Sequence, residues 1–242
     1  MQTPSVRSQP STKTQASALV EQLRRDIIAG VFAPGTKLKI TELALHYDTG
    51  VIPTREALAR LSSSGLVVAE DQRGFHVAPV SLDELRDLAS LRRMLETRAL
   101  SESLEAGDVD WEAKLIAAHH RLTRLAPRAR SGALGFAEDW DAAHVEFHLA
   151  LLAGCCSPWL MQFVRTLGEQ MSRYRHLSTK ADEDGVRDVA AEHGAILDAA
   201  LTRDVTRTAD LLCEHFSRTE ADARRALETR AAAAWRGKRA GG

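Results

Sequence analysis

The sequence has few cysteines and no long apolar run, and both absences narrow the class of protein. Its three cysteines, two of them adjacent at Cys155 and Cys156, are too few for a disulfide framework and favour a reducing cytoplasm. No stretch reaches the roughly 18 uninterrupted apolar residues that a membrane-spanning helix needs. The polar N-terminal stretch, residues 1–14, lacks the apolar core of a signal peptide. We therefore expect a cytoplasmic protein without a membrane partner.

The composition is that of a globular protein with room for two domains. The chain has 242 residues, of which 44% are hydrophobic and 27% charged, with a net charge of -1. Residues 1–79 carry nine Lys/Arg against seven Asp/Glu, and residues 229–242 carry four Lys/Arg and no acid, so the remainder is acidic. This distribution suits a DNA-contacting head on a body that has another task.

The first third of the chain has the pattern of three short helices and a hairpin. Residues 1–16 are polar and predicted to be a mobile tail. Apolar spacing then predicts a helix that ends at Gly30, and Thr41 is the expected cap of a second helix that ends at Tyr47. A third helix is expected from Pro53 to Ser64, followed by strands at 66–69 and 74–77. This order predicts a winged helix-turn-helix over residues 17–79.

From Ser81 onward the sequence contains helical patterns and no strand pattern. Ser81 and Glu84 resemble a capping box that opens a helix to about Ala106. Further helices are predicted at about 110–126, 133–153, 158–177, 186–202 and 205–228, separated by Pro127, Gly132, Gly154 with Pro158, Gly185 and Asp204. The chain is thus predicted to be mainly α, with an antiparallel bundle of six or seven helices over residues 80–228 and a frayed basic tail over 229–242.

Four of the nine histidines fall on inward-facing positions of the predicted bundle. His144 and His148 are one turn apart on one helix, and His193 and His215 lie on two later helices. Three helices can bring four imidazoles around one point, where they would suit Zn, Ni, Cu or Fe. Spacing alone leaves open a purely structural role as buried side chains. The other five histidines are expected to be structural or surface residues.

An ordered series of short motifs resembles the GntR family of bacterial regulators. In the first third these motifs are the Pro34-Gly35 turn, the segment 41–44, the segment Ile52-Pro53-Thr54-Arg55-Glu56-Ala57-Leu58, the segment 64–67 and the pair Arg73-Gly74. The second part resembles the FCD effector domain of the FadR-type subfamily, through segments 92–96, 147–148, 192–196 and His215. Together the resemblance covers roughly residues 19–225 and implies a transcription regulator, not an enzyme.

The resemblance implies a DNA-contacting helix over Gly50 to Arg60. Arg55 and Arg60 would contact phosphates or base edges, and Arg73 in the wing would reach a groove or a phosphate. The predicted contact set also contains four smaller residues, which are Thr41, Gly50, Thr54 and Gly74. We expect a homodimer to bind a twofold-symmetric operator.

One position of the recognition helix departs from the family pattern. The family often has Ser/Thr-Arg at the start of this helix, where the arginine can contact a guanine bidentately. Gly50 and Val51 stand at these positions in this chain. Because valine can only touch a thymine methyl group, we expect a different operator sequence.

The resemblance also implies a metal centre and a nearby ligand. Many FCD domains carry an Asp-x-x-x-His pair on one helix and one histidine on each of two later helices. His148, His193 and His215 match the three histidines, and His144 replaces the aspartate, which favours Zn, with Ni as the alternative. Asp141 is a candidate outer acceptor for an imidazole N–H.

The implied effector is a small carboxylate. Arg92 resembles the family's ligand-supporting arginine, although Glu96, one turn on, could instead pair with it, and Arg173 is a second candidate clamp. Two alternatives remain open at this stage. One is a regulator whose metal is purely structural, with the effector elsewhere or absent. The other is a zinc-dependent hydrolase, which the absence of an H-E-x-x-H motif and of a nucleophile elbow disfavours.

Overall fold

The computed structural model describes the backbone of residues 12–130, 136–179 and 187–240, and the side chains of residues 15–126, 139–177 and 187–232. The chain forms two compact units, Met1–Pro79 and Val80–Gly242. In the described part of the chain, no helix combines the length and the apolar character needed to cross a membrane.

The first unit, called the head below, has a winged helix-turn-helix fold. Its described elements are α1 (Thr12–Ile28), β1 (Lys37–Leu38), α2 (Ile40–His46), α3 (Val51–Ser63), β2 (Val67–Glu70) and β3 (Gly74–Val77). The strands form an antiparallel sheet in the order β1-β3-β2. The predicted fold is therefore confirmed. The two-residue strand β1 was not predicted, because so short a segment has no readable alternation.

An apolar core joins the three helices of the head. Leu19, Leu23 and Ile27 form one buried stripe on α1, and Leu58 and Leu61 of α3 belong to the same cluster. Their four- and three-residue spacings place each set on one helical face. Helix α1 packs against α3, so this core fixes the exposed side of α3.

All three helix starts in the head differ from the prediction, and α3 begins at Val51 rather than at Pro53. Helix α1 begins at Thr12, inside the predicted tail of residues 1–16, because Ala16 extends the buried stripe and is fully buried. Residues 1–11 of that tail lie outside the described residues. Helix α2 begins at Ile40, after Lys39 in extended conformation. The prediction that Thr41 caps this helix is therefore wrong, since Thr41 lies inside the first turn.

The turn of the wing depends on backbone conformations with positive φ. Gly74 has a φ of +87° and Gln72 a φ of +63°. Glycine adopts this region without steric cost, whereas a side chain at Gly74 would be strained. The turn leaves Arg73 with a side chain that is 79% exposed.

The second unit, called the bundle below, contains α-helices and no strand in its described part. Its helices are α4 (Leu82–Ala106), α5 (Val109–Arg130), α6 (Phe136–Leu151), α7 (Pro158–Thr179), α8 (Val189–Leu201) and α9 (Val205–Ala240). The predicted cap of α4 is confirmed, since the Ser81 Oγ accepts a hydrogen bond from the Glu84 N–H at 3.0 Å. Helix α9 packs against α4, α7 and α8, and α5 packs against α6 and α8.

Several ends of the bundle helices differ from the predicted ends. Helix α5 continues through Pro127 to Arg130, although proline lacks the N–H that a helix interior uses. Helix α8 begins at Val189 rather than near 186, because the Asp188 side chain accepts from the Ala191 N–H at 3.0 Å. Helix α9 runs to Ala240 instead of fraying after residue 228, since residues 231–234 are alanines, the strongest helix former. The predicted start of α6 near 133 lies outside the described residues.

Candidate metal centre and DNA-contacting helix

Helices α6, α8 and α9 bring four buried histidines together in the bundle. One ring nitrogen from each of His144, His148, His193 and His215 lies within 4.8 Å of those of the others. His144 and His148 share a face of α6 because they are four residues apart, and their ring centroids are 4.6 Å apart. The centroids of His193 and His215, on different helices, are also 4.6 Å apart. The structure thus brings together all four predicted residues.

Several ring nitrogens of this cluster are buried without a hydrogen-bond partner among the described residues. They are Nδ1 of His144, Nδ1 and Nε2 of His148, and Nε2 of His193. Buried polar atoms normally have partners, and an unpaired one costs about 1–3 kcal/mol. Four imidazoles around one point form a donor set of the kind that Zn accepts. The arrangement therefore fits a bound metal ion better than it fits four structural side chains.

The environment keeps these imidazoles in the neutral form that binds metal. Burial, together with nearby positive charge, holds the pKa of His144 and of His148 well below the usual value. Burial and the neighbouring His215 lower the pKa of His193 in the same direction. Burial lowers the pKa of His215 to about 4, although Glu192 opposes this shift. Near pH 7 none of the four needs to lose a proton before it can coordinate a metal.

A buried ion pair lies near the cluster, and the charge of its arginine acts on His148. The Arg92 Nε donates to Glu96 Oε1 at 2.5 Å, and both side chains are almost fully buried. The Arg92 guanidinium carbon also lies 4.0 Å from the centre of the Phe216 ring. Burial raises the pKa of Glu96, although the charge of Arg92 opposes it. The structure therefore contains the ion pair between Arg92 and Glu96, which the sequence offered as the alternative to a ligand-supporting role of Arg92.

Arg173, the second predicted clamp, makes its described contacts near the start of α4. Its Nη2 donates to Gln170 Oε1 at 2.7 Å and to Glu84 Oε1 at 3.3 Å. The cation on α7 whose charge acts on His144 and His148 is Arg175 instead.

Sequence reasoning missed Arg175, which also redefines the role of Asp141. The Arg175 Nε and Nη2 donate to Asp141 Oδ1 at 2.9 and 2.6 Å. The described partner of Asp141 is thus Arg175, and not the imidazole N–H that we predicted. Residues 170–175 are all buried, so α7 is enclosed on every side at this point. Because this segment has no solvent-exposed face, helical periodicity could not single out Arg175 as a residue that points towards the cluster.

Helix α3 and the wing carry the exposed cations of the predicted DNA-binding set. Arg55 is exposed, and among the described residues it makes no ion pair. Arg60 is exposed and pairs with Glu56 at 2.5 Å, and Arg73 lies 3.4 Å from Glu70. Gly50 is exposed at the N-cap of α3, and Gly74 lies in the wing.

The two threonines of that set have different surroundings. Thr54 is fully buried, and its hydroxyl donates to the Gly50 carbonyl at 2.8 Å. Because this side chain has no exposed surface, we do not expect it to contact DNA. Thr41 is exposed in the first turn of α2.

The beginning of α3 also exposes two apolar side chains. Val51 is 47% and Ile52 is 78% exposed. Burying such side chains against a partner would be favourable, and both lie in the first turn of α3. We predicted a role for Val51 in operator choice but assigned none to Ile52.

Comparison with protein-family models assigns both units. The model described as "Bacterial regulatory proteins, gntR family" matches residues 15–77. The FCD domain model matches residues 87–218, which is more than half of the chain. The chain belongs to the GntR family of bacterial regulatory proteins and carries an FCD domain. It is a DNA-binding transcriptional regulator of GntR/FCD type, and the family and the relatives below are regulators rather than enzymes.

Relatives of this GntR regulator have similar length and descriptions. The chain is 39% identical over 206 residues to BphR of Paraburkholderia xenovorans (strain LB400), described as an uncharacterized HTH-type transcriptional regulator. The alignment covers 85% of this chain and 84% of BphR. This chain is also 34% identical over 197 residues to the HTH-type transcriptional repressor GlaR of Escherichia coli (strain K12), and the alignment covers 80% of this chain and 89% of GlaR.

Solved structures support the fold assignment. Escherichia coli McbR/YncC aligns with a TM-score of 0.74 at 21% identity, covering 87% of this chain and 97% of that protein. The metal-free FCD domain of the regulator TM0439 aligns with a TM-score of 0.50 at 16% identity, covering 63% of this chain and 99% of that domain. At these identities the similarity concerns the fold alone.

Proposed function

We propose that this regulator binds a twofold-symmetric operator as a homodimer, and that a carboxylate effector held at a four-histidine metal centre modulates the binding. The observation that carries the proposal is the meeting of four buried imidazoles, with unpaired nitrogens, in the domain that accompanies a DNA-binding head. Its site of action would be the cytoplasm, where the operator DNA lies.

Helix α3 is the element that we expect to enter the major groove. The exposed Arg55 has no competing ion pair among the described residues, so its guanidinium is available to a phosphate or a base edge. Val51 and Ile52, at the N-terminal end of the helix, can contact thymine methyl groups but cannot form hydrogen bonds with bases. Arg73 would add a wing contact. These features favour an operator with thymines where α3 begins.

The metal centre is proposed to contain Zn, with Ni as the alternative, held by His144, His148, His193 and His215. When bound, the ion would supply a Lewis-acidic point of attachment for a carboxylate. Arg92 would neutralise the remaining charge of the effector after giving up its bond to Glu96. This exchange of one buried carboxylate for another would change the side-chain contacts of α4, which leads directly from the head into the bundle.

Exposed apolar residues support the homodimer. Leu91 and Met94 of α4, and Trp159 and Phe163 of α7, are large apolar side chains that stay exposed in the single chain. Helices α4 and α7 pack against each other. A second copy of the chain could cover these side chains, as twofold oligomers cover a self-complementary patch. The double substitution Met94→Glu with Phe163→Glu should then convert a dimer into a monomer in sedimentation experiments.

The proposal is tested by measuring metal content and DNA binding together. Purified protein should contain one Zn per chain, and His148→Ala and His193→Ala should lose it. Fluorescence anisotropy with DNA from upstream of its own gene should give binding that weakens steeply with salt. Organic acids that raise the melting temperature should change this affinity in the wild type but not in the variants. A protein that never carries metal, or binding that is indifferent to sequence, would overturn the proposal.

A regulator with a purely structural metal is the second candidate. The observation that favours it is the buried Arg92–Glu96 pair, in which the predicted effector clamp already has a partner. In that case the histidine variants would lose metal and stability, but operator binding would still respond to the effector.

A further inference from the structure

His215 differs from the other three histidines because a carboxylate contacts its ring from outside the cluster. The Glu192 Oε2 lies 2.8 Å from the His215 Nδ1. His215 is buried, and the Glu192 side chain is 9% exposed. Glu192 precedes His193 on α8, but its side chain points to the partner histidine on α9. In contrast, His144, His148 and His193 each have at least one buried ring nitrogen without a hydrogen-bond partner among the described residues.

Two arginines hold this carboxylate in place. The Arg187 Nε and Nη2 donate to the two Glu192 oxygens at 2.8 and 2.5 Å, and the Arg218 Nη1 donates to Glu192 Oε1 at 2.9 Å. Arg187 is itself anchored by Asp222 at 2.8 Å. A carboxylate that accepts three charge-assisted hydrogen bonds remains ionised and can only accept.

This acceptor determines which nitrogen of His215 carries the proton. The Arg187 Nη2 also lies 3.2 Å from the His215 Nδ1, but arginine can only donate. That Nη2 already has shorter bonds, to Glu192 Oε2 and to the His215 carbonyl at 3.1 Å. The Nδ1 at 2.8 Å from an ionised oxygen is therefore the donor, which leaves the lone pair on Nε2.

We propose that Glu192, held by Arg187 and Arg218, is a positioning residue that fixes His215 as the Nδ1–H tautomer, so that Nε2 is the metal-binding atom. The inference rests on the metal centre proposed above. A carboxylate behind a ligating imidazole orients the ring and increases its basicity. The four inner ligands are neutral imidazoles, so Glu192 would supply from outside the negative charge that an inner aspartate would otherwise provide.

The first test compares the zinc affinity of two carboxylate variants by competition with a chelating dye. Glu192→Gln keeps the side-chain shape but loses the charge, and we expect about a 10- to 100-fold weaker affinity. The matched control is Glu214→Gln, because Glu214 also pairs with Arg218 and borders the same surface pocket but does not contact the His215 ring. It should bind zinc within about twofold of the wild type. Equal affinity of Glu192→Gln and wild type would overturn the inference.

The second test measures the tautomer in the metal-free protein by long-range ¹H–¹⁵N NMR of the histidine rings. The His215 resonances, assigned with His215→Gln, should be those of the Nδ1–H form in the wild type and should change in Glu192→Gln. An Nε2–H form in the wild type would overturn the inference. If the wild type binds no zinc, the proposed metal centre fails, whereas the tautomer result still stands. If circular dichroism shows that Glu192→Gln does not fold, the tautomer of His215 in the wild type is sufficient to test the inference.

Discussion

The cores of the two units are built from different kinds of residue. Among the described side chains of the head, Thr54 is the one buried polar residue, and it satisfies its hydroxyl within its own helix. The bundle buries four histidines, three arginines and a glutamate. Such groups cost free energy to bury unless they are paired, and they are often neutral or worse for stability. The comparison indicates that the head core serves stability, whereas part of the bundle core serves a ligand.

The largest expected effect comes from shortening an apolar side chain in the head core. Leu58→Ala should reduce the free energy of unfolding of the head by about 2–5 kcal/mol, because it leaves a cavity at a fully buried position. Denaturant unfolding measures this loss. Operator binding should fall with it, while the zinc content of the bundle should not change.

The matched control for that variant is Leu45→Ala. Leu45 lies on α2 and is 85% exposed, so the change should cost less than about 0.5 kcal/mol. Similar losses at Leu45 and Leu58 would contradict the placement of Leu58, and not Leu45, in the apolar core of the head.

An apolar substitution in the bundle should have the opposite sign. Both ring nitrogens of His148 are buried and unpaired among the described residues, so His148→Leu should leave the metal-free protein as stable as before or about 1–3 kcal/mol more stable. Zinc at 100 times its Kd should stabilise the wild type by about 2.7 kcal/mol, a gain that a chelator removes and that the variant mostly lacks. Thermal unfolding with and without zinc measures both effects. His120→Leu, at an exposed position of α5, should keep the zinc response. A destabilised metal-free His148→Leu would indicate a structural histidine.

Local patterns sufficed to predict the head and one half of the histidine cluster. The winged helix-turn-helix follows from short-range signals, such as the proline in the first turn of α3 and the glycine of the wing turn, which depend on backbone geometry alone. His144 and His148 needed only the helical repeat. The family resemblance then brought His193 and His215 into the same site, which spacing on separate helices could not do.

The contacts that sequence reasoning missed join distant segments. Arg173 and Arg175 are two residues apart and both buried, and only the packing of α4 and α6 around α7 decides that Glu84 contacts Arg173 whereas Asp141 contacts Arg175. The clamp of Glu192 joins residues from the start of α8 to α9, and no local pattern encodes it. The prediction that Pro127 ends a helix is wrong, since α5 runs on to Arg130.

A smaller effect is expected from the buried Tyr174 and the half-buried Tyr47, which allow the same substitution in each unit. The Tyr174 hydroxyl contacts the Ser81 backbone and donates to Glu84 at the start of α4, and the Tyr47 hydroxyl donates to Asp26 in the head. Tyr174→Phe and Tyr47→Phe should each cost about 1 kcal/mol of unfolding free energy. Zinc titration should give unchanged affinity for both variants. A loss of zinc affinity in Tyr174→Phe would mean that the start of α4 and the histidine cluster are coupled.

The smallest effect on stability is expected at the surface of α3, where the loss should appear in DNA binding instead. Arg60→Gln removes an exposed ion pair with Glu56, which is worth at most about 1 kcal/mol. If Arg60 of each protomer contacts a phosphate, the slope of log affinity against log salt should become shallower by about 1.8 for the dimer, about 0.9 for each contact. Glu56→Gln removes the same ion pair but keeps the cation, so its stability change should match that of Arg60→Gln while operator binding stays as tight or becomes tighter. Equal losses of DNA affinity in the two variants would assign Arg60 to the structure of α3 rather than to the DNA contact.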